Sequence, residues 1–151
     1  MTVYDKLREL QIELAKPSPP AAAFVPTVQT GNLLFVSGHI AKRDGQPWAG
    51  QLGAGVTTEE GRQAARHVAV DLMATLHHEL TDLGRIKRIV KLLCLVNSAP
   101  NFTEQHLVAN GASELLQRVF GPSGMHARSA IGVAQLPLGS CVEIELIAEL
   151  T

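Results

Sequence analysis

Hydrophobic side chains recur along this chain with two periods, and the changes of period mark out its elements. Between Tyr4 and Lys16, the helical spacing of Leu7, Leu10 and Leu14 predicts a short accessory helix. Pro17-Ser18-Pro19-Pro20 ends it and predicts a stiff, extended connector. Val25 to Gln29 and Leu33 to Ser37 are β-rich runs on either side of Thr30-Gly31-Asn32, which predicts a hairpin. Asp44-Gly45-Gln46-Pro47 marks a further turn. Gly50, Gly53 and Gly55 then leave a connection without a period, either mobile or packed on a neighbouring subunit. Thr57-Thr58-Glu59-Glu60 fits a capping box, with Thr57 as cap and Glu60 reaching back. From there Ala65, Val68, Leu72, Leu76 and Leu80, flanked by Ala69 and Leu83, form one apolar stripe that Gly84 should stop. Arg88 to Val96 predicts a central strand. A second helix should start at Asn101-Phe102-Thr103-Glu104, capped by Asn101, and break or kink at Asn110-Gly111. It should end near Gly121-Pro122. Two strands follow, Ala127 to Val133 and Val142 to Leu150.

Strands first, then helix, strand, helix and two strands, describe an α+β fold: a mixed sheet with two long helices packed on one face. Residues 1–20 read as the accessory helix and connector, and 21–151 as one domain. In the last strand Val142, Ile144, Leu146 and Ala148 should face the helices, with Cys141, Glu143, Glu145 and Ile147 turned the other way. That second face is only partly polar, as a subunit interface with polar pockets would be.

Composition narrows the partners. The chain has 151 residues, 46% of them hydrophobic, which suits one domain with a sizeable core. Its formal charge is −1, and Arg85-Ile86-Lys87-Arg88 is its one short basic cluster, so no nucleic-acid partner is expected. The first residues are charged and amphipathic, and no apolar run approaches a membrane span, so a cytoplasmic protein with no membrane partner is expected. Cys94 and Cys141 sit in apolar strands without a CxxC partner and read as buried thiols. His67, His77 and His78 lie mostly off the helical stripe without metal-ligand spacing and read as solvated; no metal is expected. Serine-elbow, P-loop, dinucleotide and zinc-protease motifs are missing.

Arg128 is the residue that asks for a function. It interrupts the apolar run Ala127-Arg128-Ser129-Ala130-Ile131-Gly132-Val133, which otherwise reads as a buried strand, and a guanidinium there needs an anion or a route to water. The anion is either a carboxylate of the strand pair, Glu143 or Glu145, or one brought by a ligand.

Ala127-Arg128-Ser129, Gln135-Leu136-Pro137 and the strand Cys141 to Ala148 together resemble the C-terminal signature of the Rid family of reactive intermediate deaminases, formerly YjgF. Thr30-Gly31-Asn32-Leu33-Leu34-Phe35-Val36-Ser37-Gly38 resembles that family's second signature. Val96-Asn97, Asn110 and Phe120-Gly121 continue the match in order, from roughly Ala21 to Leu150. The longer N-terminus and the Asp44 to Thr57 connection resemble a longer, less characterised branch. The resemblance implies a chorismate-mutase-like fold, a homotrimer with three sites between subunits, and hydrolysis of short 2-imino acids to 2-keto acids and ammonia without a cofactor. It assigns Arg128 to the substrate carboxylate and Glu143 to the attacking water, with Ser37, Asn110 and the backbone near Ala130 completing the pocket. Three positions differ from the family pattern: Phe24 stands where tyrosine is usual, Ala130 where cysteine is common and His39 where glutamine is frequent. Phe24 and His39 lean toward an alternative, a non-catalytic trimer that binds a carboxylate metabolite and has a regulatory role. Some relatives carry an endoribonuclease name. Here the weak negative charge and 4% aromatic content provide neither a phosphate track nor stacking platforms for RNA.

Overall fold

The computed structural model describes residues 1–151. Along the chain run α1 (Val3–Glu9), β1 (Thr27–Thr30), β2 (Leu33–Ile40), β3 (Lys42–Arg43), β4 (Gln46–Pro47), β5 (Gln51–Leu52), β6 (Gly55–Val56) and α2 (Thr58–Leu80). They are followed by β7 (Ile86–Asn97), α3 (Gln105–Phe120), β8 (Ala127–Val133) and β9 (Val142–Leu150). The main sheet has five strands in the order β1-β2-β9-β7-β8. β9 is antiparallel to both β2 and β7, so those two run in the same direction, and β8 is parallel to β7. Strands that share a direction need long crossovers, and the two long helices supply them: α2 carries the chain from the β2 side to β7, and α3 from β7 to β8. The mixed α+β sheet is as the order of elements predicted, with β9 rather than β7 at its centre. No helix is long and apolar enough to cross a membrane.

Period-two alternation places the core. Val142, Ile144, Leu146, Ala148 and Leu150 are buried along β9, while Glu143, Glu145, Ile147 and Glu149 are half-buried or exposed. Leu92, Cys94 and Val96 of β7 and Leu34 and Val36 of β2 share the buried face, under Val68, Leu72 and Leu76 of α2 and Val108 and Leu116 of α3. Each such leucine or isoleucine contributes about 1.5–3 kcal/mol by leaving water. Burial pushes the Cys94 thiol up to about 12 and the Cys141 thiol up to about 11, so both remain inert thiols.

Several local expectations are corrected. α3 is unbroken through Asn110-Gly111 and starts after Glu104, not at an Asn101 cap. Gly111 is there for the contact between helices: a Cβ at that position would overlap the Arg62 carbonyl of α2. α2 begins at the expected Thr57 cap, which accepts from the Glu60 backbone at 3.2 Å, but Glu60 does not reach back to close the box. It ends at Leu80, however, where Thr81 takes φ 68°, and Gly84 belongs to the following turn. α1 stops at Glu9, short of Lys16, and is capped by a Thr2–Asp5 box. The glycine-containing connection is ordered on its own chain: Trp48, Leu52 and Val56 are buried, and the Leu52 carbonyl accepts from the Ala99 backbone at 2.9 Å. His77 is held too, its Nδ1 accepting from the Tyr4 hydroxyl at 2.9 Å, while His67 and His78 are exposed. Finally, β8 is an edge strand with every residue exposed or half-buried, not a buried one.

Candidate functional site

The residues singled out by sequence fall into two groups on opposite faces of the sheet. Register decides which face each occupies. Arg128 is level with Leu92, which is level with Leu146, all on the helix side; Glu143 is level with Leu95, three positions further along β7 and therefore on the other side. An ion pair between Arg128 and Glu143 or Glu145 within one chain is thereby excluded, and no carboxylate of the chain pairs with Arg128.

On the helix side, α3 holds the half-buried guanidinium through neutral acceptors. Arg128 Nη1 donates to Asn110 Oδ1 at 2.9 Å and to Ser113 Oγ at 3.1 Å, and Nη2 donates to the His106 carbonyl at 3.3 Å. Of five N–H groups, those on Nε and one on Nη2 keep no partner in the chain. Asn110 therefore lies at the site as expected, bound to the arginine. Ala130 follows two residues later on the same face, level with Cys94. Ser113 and His126 complete this cluster and were missed by sequence reasoning. Ser113 Oγ lies 2.9 Å from His126 Nε2, and His126 Nδ1 lies 2.6 Å from the Gly124 carbonyl. A signal was present: Asn110 and Ser113 are one helical turn apart, and His126 shares its strand face with Arg128.

On the open face, Glu143 packs against Gly38. A bulge between Val36 and His39 swings the β2 backbone beside the carboxylate, and a Cβ on Gly38 would overlap the carboxylate oxygen. Glu143 has no hydrogen bond or ion pair in the chain, whereas Glu149 on the same strand is held by Lys87 at 3.1 Å and Arg88 at 3.6 Å. Burial, and after it the like charge of Glu145, raise the Glu143 carboxyl above its ordinary range. Ser37 fastens the incoming chain: its Oγ donates to the Val25 carbonyl at 2.7 Å and its backbone N–H to Pro26 at 2.9 Å. Ser37 thus anchors the segment that carries Phe24, whose ring is half-exposed.

His39 turns away from this group. Its Nδ1 donates to the Ser37 carbonyl at 2.7 Å, which leaves Nε2 to accept from the Thr75 hydroxyl of α2 at 2.8 Å. Burial holds its imidazole below the ordinary range and raises the nearby Asp71 carboxyl. Within one chain the structure therefore sets Glu143 against Gly38 beside Ser37, which anchors the segment carrying Phe24, and separately gathers Asn110, Ser113, Arg128 and Ala130. It does not bring the two groups together, and it places His39 with neither. A hollow of about 360 Å³ between the N-terminal segment and α2, lined by Leu14, Pro17, His77 and Thr81, touches neither group. No cluster of three or more histidine, cysteine or acidic side chains has the arrangement of a metal site.

The comparisons with known proteins agree with this architecture. Residues 15–150 match the family model described as Endoribonuclease L-PSP. Protein TCP17 of Trypanosoma cruzi is 49% identical over 95% of this chain and 91% of its own. The human 2-iminobutanoate/2-iminopropanoate deaminase is 28% identical over 91% of this chain and 87% of its own. Among solved structures, a protein of unknown function from Agrobacterium tumefaciens superposes with a TM-score of 0.91 at 40% identity, covering 99% of this chain and 92% of that one. With a mixed sheet backed by two crossover helices and a family match spanning all of the sheet, the chain belongs to the YjgF/Rid (endoribonuclease L-PSP) family and has its chorismate-mutase-like fold.

Proposed function

We propose that this protein is an enamine/imine deaminase that hydrolyses short 2-imino acids to 2-keto acids and ammonia, without a cofactor, at sites shared between the subunits of a homotrimer. One observation carries the reading: Arg128 is fixed by three neutral acceptors, meets no carboxylate of its own chain and keeps N–H donors free on two adjacent nitrogens. That is a cation held ready for an anion from outside, and a planar guanidinium grips a carboxylate with two parallel bonds.

Assembly follows from where the two groups lie. With Arg128 and Glu143 on opposite faces of one sheet, a single ligand reaches both only where two chains meet. The Glu143 face also exposes Val28, Leu33, Phe35 and Ile131, apolar surface that a closed cyclic arrangement would cover.

In such a site Arg128 holds the substrate carboxylate beside the imine carbon. Glu143 takes a proton from water as the oxygen attacks that carbon, giving a carbinolamine, and then returns the proton to the nitrogen. As the C–N bond breaks, Glu143 takes the hydroxyl proton of the carbinolamine, the C=O forms, and that proton passes to the departing nitrogen, which leaves as ammonia. A carboxyl raised above its ordinary range suits both roles better than a fully solvated one. Ser37 positions the Phe24 segment, and Asn110 holds Arg128 by its oxygen while leaving its amide N–H groups for the ligand.

A second reading, a carboxylate-binding trimer without catalysis, is favoured by one observation. Phe24, half-exposed on the segment that Ser37 anchors, has a ring without a hydroxyl. A coupled assay separates the two: a dehydratase generates 2-iminopropanoate, and pyruvate release is timed with and without the protein. Acceleration supports the deaminase. Buffer-rate hydrolysis together with tight 2-keto acid binding supports the binding trimer.

A further inference from the structure

We propose that Ser113 and His126 form a positioning relay that keeps Arg128 in its anion-receiving pose, so that carboxylate affinity depends on an imidazole that never touches the ligand. The proposal rests on the reading of Arg128 as the carboxylate clamp and adds two residues to it.

Each bond in the relay dictates the direction of the next. The Gly124 carbonyl can only accept, so His126 Nδ1, 2.6 Å away, carries the ring proton. Nε2 is therefore a bare lone pair and takes the Ser113 hydroxyl proton at 2.9 Å. With that proton committed to the ring, Ser113 Oγ turns lone pairs toward Arg128 Nη1 at 3.1 Å. A serine inside a helix ordinarily donates to the carbonyl four residues back, which here is Ala109. Without the imidazole, Ser113 would return to that partner and its oxygen would leave the guanidinium. Ser113 is only 5% exposed, so water has little access to replace the lost acceptor.

Charge ties the relay to the ligand. Around the ring, β8 brings Arg128, α3 brings the Ser113 hydroxyl and the turn Gly121–Gly124 brings its carbonyl. Burial first, and then the positive charge of Arg128, hold the imidazole below its ordinary range, which keeps it neutral at pH 7 and its Nε2 open to Ser113. A carboxylate seated on Arg128 offsets that charge. Protonation of Nε2 would nonetheless end the Ser113 bond and release the Arg128 pose, the larger effect, so anion affinity should fall as the pH drops through the His126 titration, and by reciprocity a seated carboxylate should move that titration to lower pH.

The test uses 2-oxobutanoate as probe ligand, with calorimetry for affinity, imine hydrolysis for KM and kcat, and NMR for the His126 titration. Ser113→Ala and His126→Leu should each raise Kd and KM by about fivefold to tenfold, with kcat changed by less than about twofold. His126→Gln, whose amide oxygen still accepts from Ser113, should stay near wild type. In the wild-type protein, saturating 2-oxobutanoate should move the His126 titration downward, a readout that stands even if a variant fails to fold. Wild-type affinity in folded Ser113→Ala and His126→Leu, or a His126 titration that ignores the ligand, would overturn the relay while Arg128→Lys still showed the clamp. Absence of 2-oxobutanoate binding in the wild type would overturn the clamp itself, and the relay with it.

Discussion

Arg128 and Glu143 stand on neighbouring parts of one sheet, and their surroundings are opposites. Arg128 is enclosed by its own chain: α3 supplies a side-chain amide, a hydroxyl and a carbonyl, and a histidine stands behind the hydroxyl. Glu143 lies against a bare glycine on a face that nothing in the chain covers, without a donor, and its carboxyl is raised by burial and by Glu145. The first arrangement is finished and lacks only an anion. The second has its carboxyl raised, so its ionisation works against the fold. One chain thus carries a hydrogen-bonded cation and a partnerless carboxylate, facing in different directions, which the proposed function makes its binding half and its reacting half.

The sharpest way to break this comparison is to neutralise the reacting half. Glu143→Gln should slow imine hydrolysis by about 10²-fold or more, because an amide cannot accept the proton of water, while 2-keto acid affinity measured by calorimetry stays near wild type. Glu145→Gln shares the face but lacks the glycine contact, and steady-state rates should leave it within a few-fold of wild type. If Glu145→Gln is the variant that loses activity, the reacting carboxylate has been misassigned.

Removing the finished half should act on binding instead. Arg128→Lys keeps the charge but loses the planar pair of donors, and the Kd for 2-oxobutanoate should rise about tenfold or more. The circular dichroism spectrum should remain that of the folded protein, since Arg128 pairs with no carboxylate of the chain.

Two glycines sharpen the contrast between scaffold and site. Gly111→Ala drives a methyl into the Arg62 carbonyl, a backbone atom that cannot easily move, and should lower unfolding free energy by about 1–3 kcal/mol in urea titration. Gly38→Ala meets the end of the flexible Glu143 side chain instead. It should reduce activity far more than stability, and equal losses from the two variants would refute the distinction.

The smallest effect concerns pH. The folded-state titration of Glu143 lies above its ordinary value, so its effect on stability is fully favourable below that value and is lost as the pH rises through the raised one. Glu143→Gln should therefore match wild type in Tm near pH 4 and exceed it at pH 7. A lower Tm for the variant at pH 7 would mean that the carboxylate has a stabilising partner.

The parts of this molecule legible in sequence were those governed by local periodicity. The α2 stripe, the β9 alternation and the Thr57 cap depend on neighbours three, four or two residues away, and they were read correctly except at Cys141, which precedes β9 and is buried in the core instead of turning to the Glu143 face. Asn110-Gly111 misled because a pairwise preference for turns says nothing about a second helix that needs the glycine's empty side. β8 misled in a different way. An apolar run normally signals burial on both sides, yet β8 lies at the edge of the sheet, so within one chain its side chains stay exposed or half-buried. For the site, motif order pointed to Arg128, Asn110, Ser37 and Glu143. Their division between two faces depends on strand register, which hydrophobic pattern alone does not determine. Ser113 and His126 escaped because only the packing of α3 across β8 brings them to Arg128.

The central claim is that Arg128 of one subunit and Glu143 of another serve the same ligand, and a complementation experiment tests it most directly. Arg128→Lys and Glu143→Gln proteins, assayed with substrate well below KM so that each alone has about a tenth of wild-type activity or less, are unfolded together in equal amounts and reassembled, and imine hydrolysis is measured. In randomly mixed cyclic trimers, about a quarter of the interfaces would pair an intact Arg128 with an intact Glu143, so activity should return to about a quarter of the wild-type level. Mixed trimers that remain as inactive as their parents would contradict the account, because they would show that both residues act within a single chain or that the two never share a ligand.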